Sequence, residues 1–350
     1  MQIKNILTFL ENLAPPHYQE SYDNAGLIVG NPEESLKGVL ICLDAIEAVV
    51  DEAIALGCNL IIAHHPIVFR GLKRFNGRNY VERTVIKAIK NDIAIYAIHT
   101  NLDNMYYRGV NAKIAEKIGL QNTRILAPKK GLKKLYTFVP ATHSDIVRKA
   151  LFEAGGGQVD DWRDLSYAGL GVASANGHSA ASVKLEVSYL PEREGAVLSA
   201  LHRHHPEEHP VYDIVQTENR ISHIGSGMIG ELPQPMAEKA FLEYLKKAMK
   251  IGCIRYTRLR SRKVSKVAVC GGAGGFLLQK AIAQKAQVFI TADYKYHEFF
   301  DADSRIVIAD IGHYESEQFT IDLLYEIITE KFSTFVAHCT KVNTNPIKYL

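Results

Sequence analysis

The sequence is short of cysteine, has no long apolar run and carries almost no net charge, and each shortage closes off a class of protein. Its five cysteines (42, 58, 253, 270 and 339) are odd in number, scattered and without a CxxC pair. That argues against a disulfide framework or a thiolate zinc site, and the expectation is buried free thiols in a reducing compartment. Nothing approaches about 18 uninterrupted apolar residues, so no membrane span is expected. The opening MQIKNILTFLENLAPP sets Lys4 and Glu11 around a short apolar stretch and offers no small-residue cleavage site. It reads as an amphipathic helix, not a signal peptide, and a cytoplasmic location is expected. With 41 basic and 38 acidic side chains the net charge is +3, which gives no overall bias towards nucleic acid or an anionic membrane. The locally basic GLKKLYTF and IRYTRLRSRK come with no nucleic-acid-binding motif and read as solvated faces.

What is present is an ordinary globular composition, 47% hydrophobic and 23% charged, over 350 residues, enough for more than one domain. Between residues 38 and 127 strands alternate with helices: GVLICLD, NLIIAHHP and IAIYAIHT are strands, and AIEAVVDEAIALG, VERTVIKAIKND and GVNAKIAEKIGL have helical spacing. The rhythm returns with KVAVCGG, QVFITAD and RIVIADIGHY as strands, and with ESEQFTIDLLYEIITEKF as one long helix. The fold class expected is α/β with a mainly parallel sheet, built from both flanks. The middle differs, because KKLYTFVPATHSDIVRKALFEAGGG and VKLEVSYLPEREGAVLSALHRHHP each read as strand, turn, helix. Such halves suggest an inserted ferredoxin-like α+β module over 129–221, dividing an α/β domain into 1–128 and 222–350.

The chemistry gathers at strand ends. IIAHHP places His64 and His65 where Pro66 stops a strand, and the expectation is that Pro66 breaks the alternation that would send the two rings apart. YAIHTNLDN puts His99 and Asp103 after a second buried strand, and IADIGHYESEQF puts His313 and Glu317 after a third, spaced to stack on one helical face. In α/β sheets that rim is where ligands bind. Imidazole and carboxylate without thiolate suit zinc, manganese or iron. Six candidates are too many for one tetrahedral ion and suit two ions bridged by a carboxylate. CGGAGGF lacks the Lys-Ser/Thr of a P-loop and reads as a tight strand-to-helix turn, not a phosphate cradle. HRHHPEEH (202–209), the densest histidine run, follows a helix with no strand-end geometry and reads as a surface loop without metal.

YDNAGLIVG, AHHPIVF, HTNLD, VCGGAGG, TADYKYH and GHYESE occur in the order seen in one family. The chain resembles the dinuclear-metal, NGG-interacting-factor-three-like proteins, often named GTP cyclohydrolase type-two homologues, in the variant with an inserted CutA/PII-like domain. The resemblance implies a toroidal homohexamer with two divalent ions per subunit (zinc, iron or manganese) on His64, His65, Asp103, His313 and Glu317. His99, Asn101 and Tyr314 would be pocket residues behind or beside those ligands, with His99 the one candidate for a catalytic role. The activity implied is hydrolysis of a nucleotide-like small molecule, namely GTP cyclohydrolase action in which metal-activated water opens the guanine ring. The alternatives are a metal-dependent hexameric scaffold whose PII-like module senses a ligand or docks a partner, and a phosphodiesterase or phosphatase; a nucleic-acid partner is not expected. Two departures stand out. Tyr22 replaces the family's usual Trp, expected as tolerated packing, and the insertion is short near SYAGLGVASANGHSA.

Overall fold

The computed structural model describes residues 1–175 and 178–350, so two residues of the short SYAGLGVASANGHSA segment lie outside the described residues. The chain opens with α1 (Ile3–Leu13), β1 (Gly26–Val29), β2 (Val39–Asp44), α2 (Glu47–Ala55), β3 (Leu60–His65), α3 (Tyr80–Lys90) and β4 (Ala94–Ala97). It continues through α4 (Thr100–Asp103), α5 (Val110–Lys117), β5 (Gln121–Lys130), β6 (Lys133–Pro140), α6 (Ser144–Glu153), β7 (Ser166–Ala175) and β8 (His178–Tyr189). Next come α7 (Glu194–His204), β9 (Tyr212–Gln216), β10 (Arg220–Ala237), α8 (Glu238–Ala248), β11 (Arg255–Tyr256) and β12 (Lys263–Ala273). The last elements are α9 (Leu278–Ala283), β13 (Val288–Ala292), β14 (Val307–Asp310), α10 (His313–Glu317), α11 (Thr320–Lys331) and β15 (Ala337–Cys339). Two compact units result, one of residues Met1–Ala127 with Ile224–Leu350, the other of Pro128–His223.

The discontinuous unit is mixed α/β, with two sheets where the alternation of elements suggested one. The first sheet has the order β1-β4-β3-β2-β15 and the second β11-β14-β13-β12-β10-β5. Each is parallel at its centre, with antiparallel pairing of β1 to β4, β10 to β12 and β11 to β14. Each flank of the sequence therefore builds its own sheet. The two flanks also exchange strands: β15 joins the first sheet beside β2, and β5 joins the second.

Burial explains the near-continuous apolar strands. Alternate residues point to opposite faces, so Leu60 and Ile62 of β3 enter a core cluster that also takes Val267, Ile290 and Val307 from the second sheet. Ile61 and Ala63 pack with Val49 and Val50 of α2 and Val85 of α3. Each fully buried Ile or Leu contributes about 1.5–3 kcal/mol, which makes these strands the rigid part of the unit. Ile3, Ile6, Leu7 and Leu10 form the buried stripe of α1. The long C-terminal helix expected from the sequence is two helices, α10 and α11, and between them Gln318 Nε2 donates to the Met249 and Glu315 carbonyls at 2.9 and 3.0 Å.

The second unit runs β-α-β-β-α-β as a four-stranded antiparallel sheet, β7-β8-β6-β9, with α6 and α7. Its core is Leu135, Val139, Val147, Leu151, Leu185, Val187, Val197 and Leu201. The sequence reading missed β7, since this edge strand is mostly exposed and its glycines weaken the strand signal. Several smaller expectations need correction. Cys253 is exposed, so not every thiol is buried. Tyr22 is two-thirds exposed and is not packing. HRHHPEEH is not all loop: His202–His204 close α7, and His205 is buried, with Nε2 donating to Phe138 O and Nδ1 accepting from Glu207 N. Among the described residues no helix is long and apolar enough to cross a membrane.

Candidate metal centre

The discontinuous unit brings the ends of β3, β4 and β14 together. β3 does not stop before its histidines: the ladder runs on to pair His65 with Asp44 of β2, and Pro66 follows it. The two rings converge for another reason. Glu317 lies across the strand end, with Oε2 at 2.9 Å from His65 Nε2 and Oε1 at 3.9 Å from His64 Nε2. One carboxylate therefore serves both rings.

Four imidazoles are held in the same manner, each anchored through Nδ1. His64 Nδ1 donates to the Ile98 carbonyl at 2.8 Å. A carbonyl only accepts, so His64 Nε2 carries the lone pair; it is buried without a hydrogen-bond partner, as is Asp103 Oδ1 3.6 Å away. His65 Nδ1 meets Asp44 at 2.8 Å, His99 Nδ1 meets Asp23 at 2.8 Å, and His313 Nδ1 meets Asp293 at 2.6 Å. An imidazole with one nitrogen fixed by a carboxylate or carbonyl and the other turned inward is the usual arrangement of a metal-ligating histidine. α10 supplies His313 and Glu317 from one face, with His313 Nε2 3.2 Å from Glu317 Oε2 and 3.4 Å from His65 Nε2.

Three groups of donor atoms each close enough to hold an ion follow: His65, His313 and Glu317; His64, Asp103 and Glu317; and His64, His65 and His99. Charge fits this use. Burial disfavours an imidazolium at His65, yet hydrogen bonds to Asp44 and Glu317 push it up to about 10. Burial is likewise overcome at His313, which the charge of Glu317 and the bond to Asp293 raise to about 11. Burial, then the charge of Glu317, pushes Asp103 well above the carboxylate range. Glu317 is held well below it, against burial, by His313 and the other imidazoles. Burial lowers His64, outweighing Glu317. At Asp23 burial again opposes, and His99 and Thr100 pull it down to about 2. The donor set thus gathers negative charge that the protein's own protons balance, and the unpartnered His64 and Asp103 atoms face each other across the gap. These residues fit a divalent cation.

The remaining sequence candidates fall around this centre. The His99 ring is 5.3 Å from that of His64 and 5.4 Å from that of His65, with Phe69 against it at 5.6 Å. Asn101 is fully buried behind the centre: its Oδ1 accepts from His99 N at 2.9 Å and its Nδ2 donates to Ala14 O at 2.7 Å. Tyr314 is half-buried, its hydroxyl raised by burial and by the charge of Asp44. None of the donor groups among the described residues includes HRHHPEEH. In the basic runs Lys133 pairs with Glu194, and Arg260, whose side chain is largely buried and not on a solvated face, pairs with Glu238.

Sequence reasoning missed the anchors Asp23, Asp44 and Asp293, although Asp23 lies in a motif already singled out and Asp44 and Asp293 lie at the ends of buried strands. It also missed Gly272, whose φ is +61° and where a Cβ would sit 2.6 Å from Glu317 Oε1 and 3.3 Å from His313 Cε1. The glycines of CGGAGGF make room for the centre before the chain turns into α9.

A family model described as Duf34/NIF3 (NGG1p interacting factor 3) matches residues 1–346. The chain belongs to this family. It is 33% identical over 368 residues to a Staphylococcus epidermidis protein named GTP cyclohydrolase 1 type 2 homolog, covering all of both chains. A Bacillus subtilis protein of the same name is 33% identical over 372 residues, covering 99% of this chain and 98% of the other. Among solved structures, a Bacillus cereus protein related to NIF3 superposes with a TM-score of 0.82 at 34% identity, over 100% of this chain and 99% of that one. The sheets and strand ends described above are therefore those of a NIF3-family fold.

Proposed function

We propose that the centre holds two divalent cations, one on His65, His313 and Glu317 and one on His64, Asp103 and Glu317, and that the protein is a hydrolase of nucleotide-like substrates. The observation that carries this reading is Glu317: its Oε2 faces one trio and its Oε1 the other, as a bridging carboxylate must. Zinc, iron and manganese all accept such a donor set. Bound there, they would supply Lewis acidity, lowering the pKa of water and polarising a substrate oxygen. The chain's own part is to fix the donors. Asp44, Asp293 and the Ile98 carbonyl orient the ligand rings, and Asp23 turns His99 Nε2 inward to donate to, or take a proton from, a bound molecule. The name borne by the relatives points to GTP among nucleotides. The β-α-β-β-α-β order of the inserted unit supports its reading as a CutA/PII-like module, and a toroidal homohexamer in the cytoplasm belongs to the same proposal.

The test is metal analysis of protein purified without added metal, followed by a screen of GTP, other nucleotides and phosphodiesters. About two ions per chain are expected in the wild type, about one in Asp103→Asn or His313→Ala, and fewer than one in Glu317→Gln, because only Glu317 serves both. Turnover should disappear on chelation while the assembly persists by light scattering. A wild type with a single ion, or Glu317→Gln losing no more than Asp103→Asn, would end the bridging assignment. If chelation dissolves the assembly and no substrate is turned over, the metals hold a scaffold.

A further inference from the structure

The residues after β15 run from the first sheet to the second-sheet side of the centre. Thr340 and Lys341 are fixed at the start: Thr340 Oγ1 and Lys341 N both donate to Glu52 of α2. Beyond them, two consecutive side chains reach opposite halves. Thr344 Oγ1 donates to Asp44 Oδ2 at 2.5 Å, while the other oxygen of Asp44 anchors His65 Nδ1. Asn345 Nδ2 donates at 2.9 Å to Glu315 Oε1, in α10 between His313 and Glu317. Asn345 is itself fixed, its N donating to Asn343 Oδ1 and its Oδ1 accepting from Ile347 N. Farther on, Tyr349 packs on Gly312, where a Cβ would lie 2.9 Å from the Tyr349 hydroxyl.

We propose that the 343–349 segment is a positioning strap for the metal centre, in which Thr344 and Asn345 set the spacing between His65 and α10. The inference rests on the metal-centre reading above and adds residues to it. Neither side chain is a ligand. Thr344 acts through Asp44 on the His65 ring, and Asn345 acts through Glu315 on the short helix that carries His313 and Glu317. Losing a group bonded directly to a ligand lowers metal affinity by about 10–100-fold, and Thr344 and Asn345 act one bond further out, so a smaller loss is expected of them.

The experiment compares Thr344→Val, Thr344→Ser, Asn345→Ala and Thr340→Val in the full chain, reading zinc and manganese affinity by competition with a chromophoric chelator. Far-UV circular dichroism checks that each variant is folded. Thr344→Val and Asn345→Ala should each weaken one binding event by a few-fold, up to about 10-fold. Thr344→Ser should keep the affinity because it keeps the hydroxyl. Thr340→Val removes a hydroxyl that bonds Glu52 of α2, ahead of the strap, and should leave affinity unchanged. Unaltered affinity in both Thr344→Val and Asn345→Ala, or an equal fall in Thr340→Val, overturns the strap. A wild type that binds neither metal overturns the metal centre itself, a separate outcome.

Discussion

Gly272→Ala places one methyl group against the shared carboxylate, and the structure supplies a matched control. Gly272 and Gly57 both lie in the left-handed region, at φ +61° and +68°. Alanine at either position carries a conformational cost of roughly 1–2 kcal/mol. The surroundings differ. At Gly57 an added Cβ meets nothing within 4 Å, whereas at Gly272 it lies 2.6 Å from Glu317 Oε1, which must withdraw beyond 3.0 Å. Glu317 is buried and bonded to His65 and His313, so withdrawal stretches charge-assisted hydrogen bonds worth about 1.5–3 kcal/mol each. Urea denaturation should therefore show Gly272→Ala less stable than Gly57→Ala by about 1.5–3 kcal/mol. Metal content, read on the same preparations, should fall in Gly272→Ala alone. Equal stability losses, or wild-type metal content in Gly272→Ala, would refute the claim that this glycine exists to admit Glu317.

Two other substitutions test groups outside the donor set. Asn101→Ala strips partners from two backbone groups, His99 N and Ala14 O, and should cost about 2–5 kcal/mol in urea denaturation; a loss below about 1 kcal/mol would mean that other groups or water replace the amide. In the inserted unit, burial opposes the charge of Asp160, but hydrogen bonds from Ser222 at 2.7 Å and His223 at 2.9 Å hold its pKa below the ordinary 3.8. A carboxylate lowered by folding stabilises above its unfolded pKa and loses that contribution as pH falls through its folded value. Asp160→Asn, which tolerates the φ of +47° found here, should thus cost about 1 kcal/mol near neutral pH, discounted for partial exposure. The gap should close as pH drops below 3.8; a gap constant down to pH ~2 would show that charge is not its source.

What the sequence made legible is what one-dimensional pattern can carry. Leu60–His65 announces itself as a buried strand that ends in ligand-type residues, and His313 with Glu317 announces a helical face. The split into two sheets was not legible, because β12, β13 and β14 have the same apolar pattern whether they extend the first sheet or face it. Strand exchange was hidden for the same reason: nothing in Ala337–Cys339 states that its partner is Val39–Ile41, some three hundred residues earlier. Gly272 was visible only as one glycine among several, since a close approach is a property of the neighbour and not of the glycine.

The anchoring carboxylates show why the donor set was easier to read than its support. Asp44, Asp23 and Asp293 each hold a histidine far away in sequence: Asp44 reaches His65 across a parallel strand pair, Asp23 reaches His99 from a loop, and Asp293 reaches His313 from the end of the neighbouring strand. A lone aspartate at a strand end has many uses, and only three-dimensional proximity selects this one. Yet these residues decide what the centre can do. Without them each imidazole would rotate about its side-chain bonds and choose between tautomers; with Nδ1 fixed, all four rings turn Nε2 inward. His64 and His65 end β3 and Asp103 ends α4 after β4, all on the first sheet's side, while His313 and Glu317 lie on α10 after β14 of the second, so the geometry between the two trios depends on the packing of Ile41, Ile62, Ile290 and Val307 in their common core. The site is as rigid as that core, and Glu317, shared by the His65–His313 and His64–Asp103 groups, is where any misalignment of the sheets must first be felt.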